Sequence, residues 1–400
     1  MTETTTCCIA GGGPAGVFLG LLLARAGVEV TVLEKHGDFL RDFRGDTIHP
    51  STLDVLDELG LGDRFAKLAH RRIGEVRFVT DDAEVTAGDL RALGGRHPYI
   101  AMVPQWDLLD MIAGEAARHP GFRLLMNAEA TGLVVRDGRV RGLRYRDGDG
   151  ADHEIHAELT VAADGRNSVL RRAAGLPVRA FGAPMDVAWF RLPRRATDPG
   201  DVFMRLSPGH LMAAIDRTDY WQLAYLVPKG GYAKEQARGI PALRRTVAGL
   251  LPFLADRVEQ LEFADISVLN VRVDRLRRWY RPGFLCIGDA AHAMSPIGGV
   301  GVNLAVQDAV ATANRLYRPL RDGTLTTTDL AAVQRRRKWP AVVVQSFQLA
   351  VQALLVGPVL RGEKPPVEVL RAGGRPLRRA VARGIGYGPL PEHVRVPAPE

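Results

Sequence analysis

Four hundred residues, at roughly 150 per domain, make two or three domains with enough chain for a large core without disulfide or metal staples. A hydrophobic content of 46% and a charged content of 24% exclude wholesale disorder, a collagen-like chain and a polytopic membrane protein. The excess of 53 Lys and Arg over 45 Asp and Glu would suit a nucleic-acid partner if it were clustered, but 47 of these cations are arginines scattered through most segments. No nucleic-acid partner is expected. Cys7, Cys8 and Cys286 lie in apolar runs and read as buried thiols in a reducing compartment. With no signal-like start, the expected location is the cytoplasm.

In chain order, residues 5–10 predict a short buried strand, Pro14 to Ala26 a helix, and Val28 to Leu33 a second strand: a βαβ unit of a parallel sheet. A polar loop at 37–50, a helix near 51–59, a strand-like piece at 73–80 and a helix at 105–118 follow. Gly132 to Arg136 and Val140 to Arg146, separated by Asp137, Gly138 and Arg139, predict a hairpin. From 185 to 270 strands bounded by Gly, Pro and Asp alternate in antiparallel fashion. A buried strand, Gly283 to Ile287, and a glycine-rich turn then lead into a long helix near Gly301.

Ala341 to Leu360 carries no charge and follows a basic run, so it could imitate a membrane anchor. Gln345, Gln348 and Gln352 recur at helical spacing, however, and a core-packed helix with one polar stripe is expected, without stable membrane insertion. From Gly357 onward the Pro, Gly and Arg content reads as a tail laid over the surface or partly disordered.

Three motifs carry chemistry. Gly11, Gly13 and Gly16 stand in GGGPAG between a predicted strand and a predicted helix. Such glycines permit a tight turn, close approach of backbone to a pyrophosphate, and close helix packing. Glu34, 21 residues past Gly13, can accept both hydroxyls of an adenosine ribose. Nicotinamide and flavin are not distinguished at this point. The run VAADGRNSVLRR places Asp164 at a strand end and Ser168 at a helix start. The run GFLCIGDAAHAMSPIGGVGVNLAVQDA places Asp289 at another strand end, ahead of a second glycine cluster.

Taken together and in this order, the three motifs resemble those of the FAD-dependent aromatic hydroxylases, the single-component flavoprotein monooxygenases similar to para-hydroxybenzoate hydroxylase, over about the first 340 residues. The resemblance implies an α/β fold in which a Rossmann-like FAD-binding domain (1–72, 98–180 and 271–340) interleaves with a substrate-binding antiparallel sheet domain (73–97 and 181–270), followed by a C-terminal helix and tail (341–400). It implies that Gly11, Gly13, Ala15, Gly16 and Glu34 hold the ADP part of FAD. Asp289 bonds the ribityl chain, Asp164 lies behind the pyrophosphate region, Arg44 reaches the pyrophosphate, and Gln105 contacts the ribityl. Val300 stands where the family often has Gln.

The loop from Pro296 through Gly298 and Gly299 ends at the helix start containing Gly301 and Val302, where free N–H groups favour the anionic reduced flavin. The oxygen reaction is expected there. The cycle so implied is hydride transfer from NADH or NADPH to flavin N5, O2 addition at C4a as a hydroperoxide, and hydroxylation or epoxidation of an aromatic or polycyclic small molecule. An apolar wall from residues 185–270 should exclude water, with Gln222, Trp189 and Met212 as candidate substrate contacts. His292 reads as a loop-fixing residue. No pattern suggests a metal, and the oligomeric state is not legible. Trp106, Trp189, Trp221, Trp279 and Trp339 are never two apart, so the W-x-W-x-I-P signature of flavin halogenases is missing. A flavin oxidase or reductase, or a flavin-bearing binding protein without turnover, are the alternatives.

Overall fold

The computed structural model describes residues 3–40, 46–200, 202–366, 368 and 374–397. The expected βαβ start is present as strand Glu3–Ala10, helix Pro14–Arg25 and strand Val30–Leu33. Ten of the twelve residues of this helix are buried, as its almost continuous apolar sequence requires. The first strand is parallel to Val30–Leu33 on one side and to Asp152–Ala162 on the other, and Phe284–Cys286 extends the parallel set. The 11-residue strand Asp152–Ala162 sits in the middle of this sheet; its end, just before Asp164, is the strand end expected from the second motif, while polar residues hide its first half, where it pairs with a hairpin.

That hairpin, Glu129–Arg136 with Arg139–Arg146, turns on two residues, not three. Asp137 and Gly138 both adopt positive φ, and Arg139 already pairs with Arg136.

A seven-stranded sheet forms the second layer, in the order Ser267–Leu269, Met185–Pro193, Tyr220–Pro228, His210–Asp216, Phe203–Ser207, Glu75–Val79 and Glu84–Asp89. Its pairings are antiparallel except that Phe203–Ser207 runs parallel to Glu75–Val79. Period-2 alternation divides its side chains between two cores. Phe190, Met212, Trp221 and Leu223 pack under helix Ile240–Leu250, whereas Val187, Leu206, Leu211 and Leu226 pack with Ile297, Val356 and Val359.

Two features of the C-terminal region differ from expectation. The helix Thr327–Val351 does carry a glutamine stripe, but the stripe faces inward. Gln345 donates to the carbonyls of Asp274 and Ala293, and Gln348 to those of Ser295 and Ile297, at 2.8–3.0 Å. Gln352 donates to the Ser295 hydroxyl. The outward face is the apolar one, with Trp339 and Leu354 55% and 72% exposed. By length and composition the helical run Thr327–Leu360 could cross a membrane, yet its glutamines are bonded into the fold.

The second difference is the tail, which is part of the core. Helix Gly374–Gly386 buries Ala382 and Ile385 against Leu90 and Ile100, an apolar face that its arginines obscure in the sequence. Beyond it, Glu392 pairs with Arg336 and with the fully buried Arg337, and the Arg337 Nε donates to Asp308 at 2.9 Å.

Replacing Arg337 with Met would leave the Asp308 carboxylate buried beside His292 without its guanidinium. The expected loss is about 3–5 kcal/mol of folding free energy, read from urea unfolding.

Candidate functional site

Close packing brings the three motifs together. Gly11 has φ +106°, and a Cβ there would lie 2.4 Å from the carbonyl oxygen of Ala163, next to Asp164. A Cβ on Gly16 would stand 1.9 Å from the carbonyl oxygen of Gly11. One on Gly288, beside Asp289, would meet the Ala15 methyl at 3.1 Å. Gly13 is the opposite case: it caps the first helix in an extended conformation, and among the described residues nothing lies within 4 Å of the place a Cβ would take. An open position in front of a helix N-terminus, walled by close-packed glycines, is the shape and polarity that a pyrophosphate requires.

Glu34 is buried at the end of its strand, with one carboxylate oxygen accepting from the Gly12 N–H at 2.9 Å and the other from the His36 N–H at 3.1 Å. Asp164 caps the following turn by accepting from the Val169 and Leu170 N–H groups, while its other oxygen is buried without a partner among the described residues; burial pushes its pKa up. Asp289 is partly exposed and lies 3.4 Å from the Arg166 guanidinium. Arg44 lies outside the described residues. The open cradle at Gly13 and the half-satisfied carboxylate behind Gly11 fit the ADP end of FAD.

At the other end, Gly298 and Gly299 both take positive φ, and a Cβ on Gly299 would collide with the Thr47 hydroxyl at 2.5 Å. At Gly298 and Gly299 the loop thus presents backbone alone before it enters helix Gly301–Arg321, whose second residue, Val302, is buried. Sequence reasoning missed what fixes this loop. Thr47 donates to the Gly299 carbonyl at 2.7 Å, and His49 lies with Nε2 3.1 Å from that carbonyl and Nδ1 2.8 Å from the carbonyl of Ile385. Full burial lowers the His49 pKa to about 4, against the pull of the two carbonyls. A neutral ring donates to one of them.

His292 is buried and bonds Asp308 at 2.6 Å; Asp308 also accepts from the Gly288 N–H at 3.0 Å. Burial would raise the Asp308 pKa, but His292 and Arg337 hold it below the usual carboxylate range. Among the described residues one group, Asp54, Asp57 and His97, could offer metal ligands, and within it Asp57 is already paired with His97 and Arg96.

On the seven-stranded sheet, Trp189 shares the face and the apolar cluster that contain Ile297 of the loop, and Gln222 alternates onto the same face. Met212 does not join them. Strand alternation turns it to the opposite side, under helix Ile240–Leu250, and Met204 stands on the loop side instead. Gln222 accepts from Arg217 at 2.9 Å, and Arg217 pairs with Asp46, whose other oxygen lies 3.4 Å from the Gln105 N–H. Asp46 and Arg217 had no motif to mark them; the only hint was polarity next to apolar strands.

The FAD binding domain family matches residues 3–346 of the chain. The chain belongs to the FAD-dependent aromatic hydroxylases. It is 35% identical over 398 residues to the 6-methylpretetramide 4-monooxygenase of Streptomyces rimosus, covering 98% of this chain and 94% of that one. It is 27% identical over 391 residues to the protoasukamycin 4-monooxygenase of Streptomyces nodosus subsp. asukaensis, covering 90% of each. The p-nitrophenol 4-monooxygenase of Pseudomonas putida DLL-E4 has the same fold, with a TM-score of 0.78 at 21% identity over 96% of this chain and 97% of that one. The protein is an FAD-dependent monooxygenase.

Two outcomes follow from the site. Gly13→Ala should leave the fold intact, since its methyl meets no atom of the described residues, yet weaken FAD binding at least about tenfold, measured by flavin fluorescence titration. For His49 the unfolded chain takes up its proton first, so the stability it contributes is complete above pH 6.5 and is lost as pH falls toward 4. At about 1.4 kcal/mol per unit this is about 3 kcal/mol. His49→Gln should show a correspondingly smaller drop in urea stability than the parent between pH 7 and pH 4.5.

Proposed function

We propose that this monooxygenase uses NADH or NADPH and O2 to hydroxylate an aromatic, polycyclic small molecule. The observation that carries the reading is the placement of one apolar sheet face against Ile297, in the glycine loop at the start of a 21-residue helix. The extensive likeness to an enzyme named for a polycyclic substrate, 6-methylpretetramide, supports the substrate class.

FAD, when bound, supplies the redox chemistry: it accepts a hydride and, reduced, activates O2. The protein's part is to bind, orient and keep dry. Gly11, Gly13, Ala15 and Gly16 cradle the pyrophosphate, with Glu34 at the ribose and Asp164 behind. Arg44 is assigned to the pyrophosphate, Gln105 and Asp289 to the ribityl chain, and Gly301 and Val302 to the helix start facing the ring. Pro296, Gly298 and Gly299 form the oxygen-reaction loop. Its two glycines would leave room beside a bound ring, and the N–H groups of the helix start would stabilise developing negative charge.

The sheet keeps solvent from this place. Along one row the cross-strand neighbours are Phe78, Met204, Ala213, Ala224 and Trp189. Two alanines between bulky residues make a shallow apolar floor suited to a flat ring system. Water exclusion here decides whether activated oxygen reaches a substrate or is lost as H2O2.

The decisive experiment supplies NADH or NADPH and 18O2 with polycyclic phenols and follows products by mass. Incorporation of one labelled oxygen atom into substrate is expected. Dehydrogenation without oxygen insertion would instead make the protein an oxidase or reductase, and tight substrate binding without turnover would make it a carrier. Asp289→Ala should reduce FAD retention on gel filtration; full retention would remove Asp289 from the cofactor site.

A further inference from the structure

We propose that the substrate wall recognises two neighbouring acceptor oxygens along one edge of a planar polycycle, through the amide N–H groups of Gln222 and the indole N–H of Trp189. This deepens, and rests on, the monooxygenase reading above.

Gln222 is 2% exposed in an otherwise apolar strand. A buried amide has two ends, and which one faces the substrate is settled by its neighbour. The Nε of Arg217 can only donate, and it lies 2.9 Å from the Gln222 Oε1. The carbonyl end is therefore committed to Arg217. The Gln222 Nε2 has no hydrogen-bond partner among the described residues.

Arg217 is itself locked. Its side chain is 5% exposed and pairs with Asp46. The backbone of Asp46 accepts from the Val103 N–H at 2.9 Å, and its carboxylate lies 3.4 Å from the Gln105 N–H. Rotating the Gln222 amide would leave a buried guanidinium N–H unpaired. Arg217 and Asp46 are positioning residues, anchored on the cofactor side of the molecule, that make Gln222 a donor toward the substrate.

Trp189 supplies the second donor. Its Nε1–H is buried without a partner among the described residues, and an indole nitrogen can only donate. Strand register sets the pair: Trp189 stands opposite Ala224 and Arg191 opposite Gln222, so Trp189 and Gln222 are diagonal neighbours on one face. Diagonal neighbours of this kind are about 7–8 Å apart at Cα, within reach of long side chains. Ala224, between them in register, leaves space over the floor.

Asp46 is taken by Arg217, and Asp216, at this end of the sheet, by Arg71 and Arg194. The face thus offers donors whose complement is a pair of carbonyl, enolate or phenolate oxygens. A ring edge without oxygens would leave both donors buried and unpaired, which is the strongest form of discrimination a small pocket can exert.

The test uses purified holoenzyme and two ring isomers of hydroxylated anthraquinone, with affinity read from perturbation of the flavin absorbance. 1,8-Dihydroxyanthraquinone carries neighbouring oxygens on one edge; in its isomer 2,6-dihydroxyanthraquinone each carbonyl stands alone on its edge. The parent should bind the first at least about tenfold more tightly. Gln222→Glu can keep its bond to Arg217 but loses the donor, and Trp189→Phe keeps the ring but loses the N–H. Each should remove most of that preference while FAD content stays the same. Equal affinities in the parent, or a preference unchanged in Trp189→Phe, would overturn the proposal. A protein that retains no FAD would defeat the monooxygenase reading itself, a result separable from the other two.

Discussion

One buried carboxylate holds the cofactor end of this molecule together. Asp308 has no exposed surface and accepts from the Gly288 N–H, from His292 and from Arg337. Those donors come from the glycine–aspartate turn, the strand after it, and the long C-terminal helix. Burying an ion of this kind is expensive unless each oxygen is satisfied, so the three elements are held in one arrangement. Through Arg337 the constraint extends to the Leu390 carbonyl and to Glu392, which ties the last described residues to the turn that carries Asp289. What Asp308 specifies is position, and the position it specifies is that of the turn carrying Asp289.

The same logic explains the glutamine helix. A loop made of Gly and Pro, with positive φ at two residues, has carbonyls that neither a helix nor a sheet can satisfy. Gln348 donates to the Ser295 and Ile297 carbonyls as the loop begins, Gln352 to the Ser295 hydroxyl and Gln345 to the strand carbonyls of Asp274 and Ala293, and a polar stripe becomes the buried one. Periodicity in the sequence locates such a stripe but does not give its direction. Hydrophobic patterning assumes that polar means outward, and that assumption fails where irregular backbone lies inside the fold.

This separates what was legible from what was not. The glycines of the first motif, Glu34, Asp164 and Asp289 stand where a strand meets a turn, and local steric rules mark that place in one dimension. The antiparallel wall was legible as a class through its alternation. Which residues faced the loop was not: the absolute phase of each strand depends on its neighbours, and Met212 and Trp189 went to opposite faces. The helix Gly374–Gly386 was hidden by its own arginines, since only Ala382, Ile385 and Gly386 turn inward. His49 and Thr47 were invisible because their partner, the Gly299 carbonyl, lies 250 or more residues away in sequence and carries no side-chain signature.

The Asp46–Arg217 pair shows why the two layers should be regarded as one catalytic unit. Arg217 lies in the turn between two strands of the wall, and Asp46 lies beside Gln105 at the cofactor layer. An ion pair buried between layers resists being pulled apart, because separation strands a charge in a low-dielectric space. The distance between wall and loop is thereby fixed by electrostatics rather than by apolar contact, which tolerates sliding. For oxygen transfer that matters more than affinity: the substrate's reacting atom must be held within a fraction of an ångström of its productive position. The residues that fix this distance are accordingly neither in the motifs nor on the floor, but in the polar contact that spans the two.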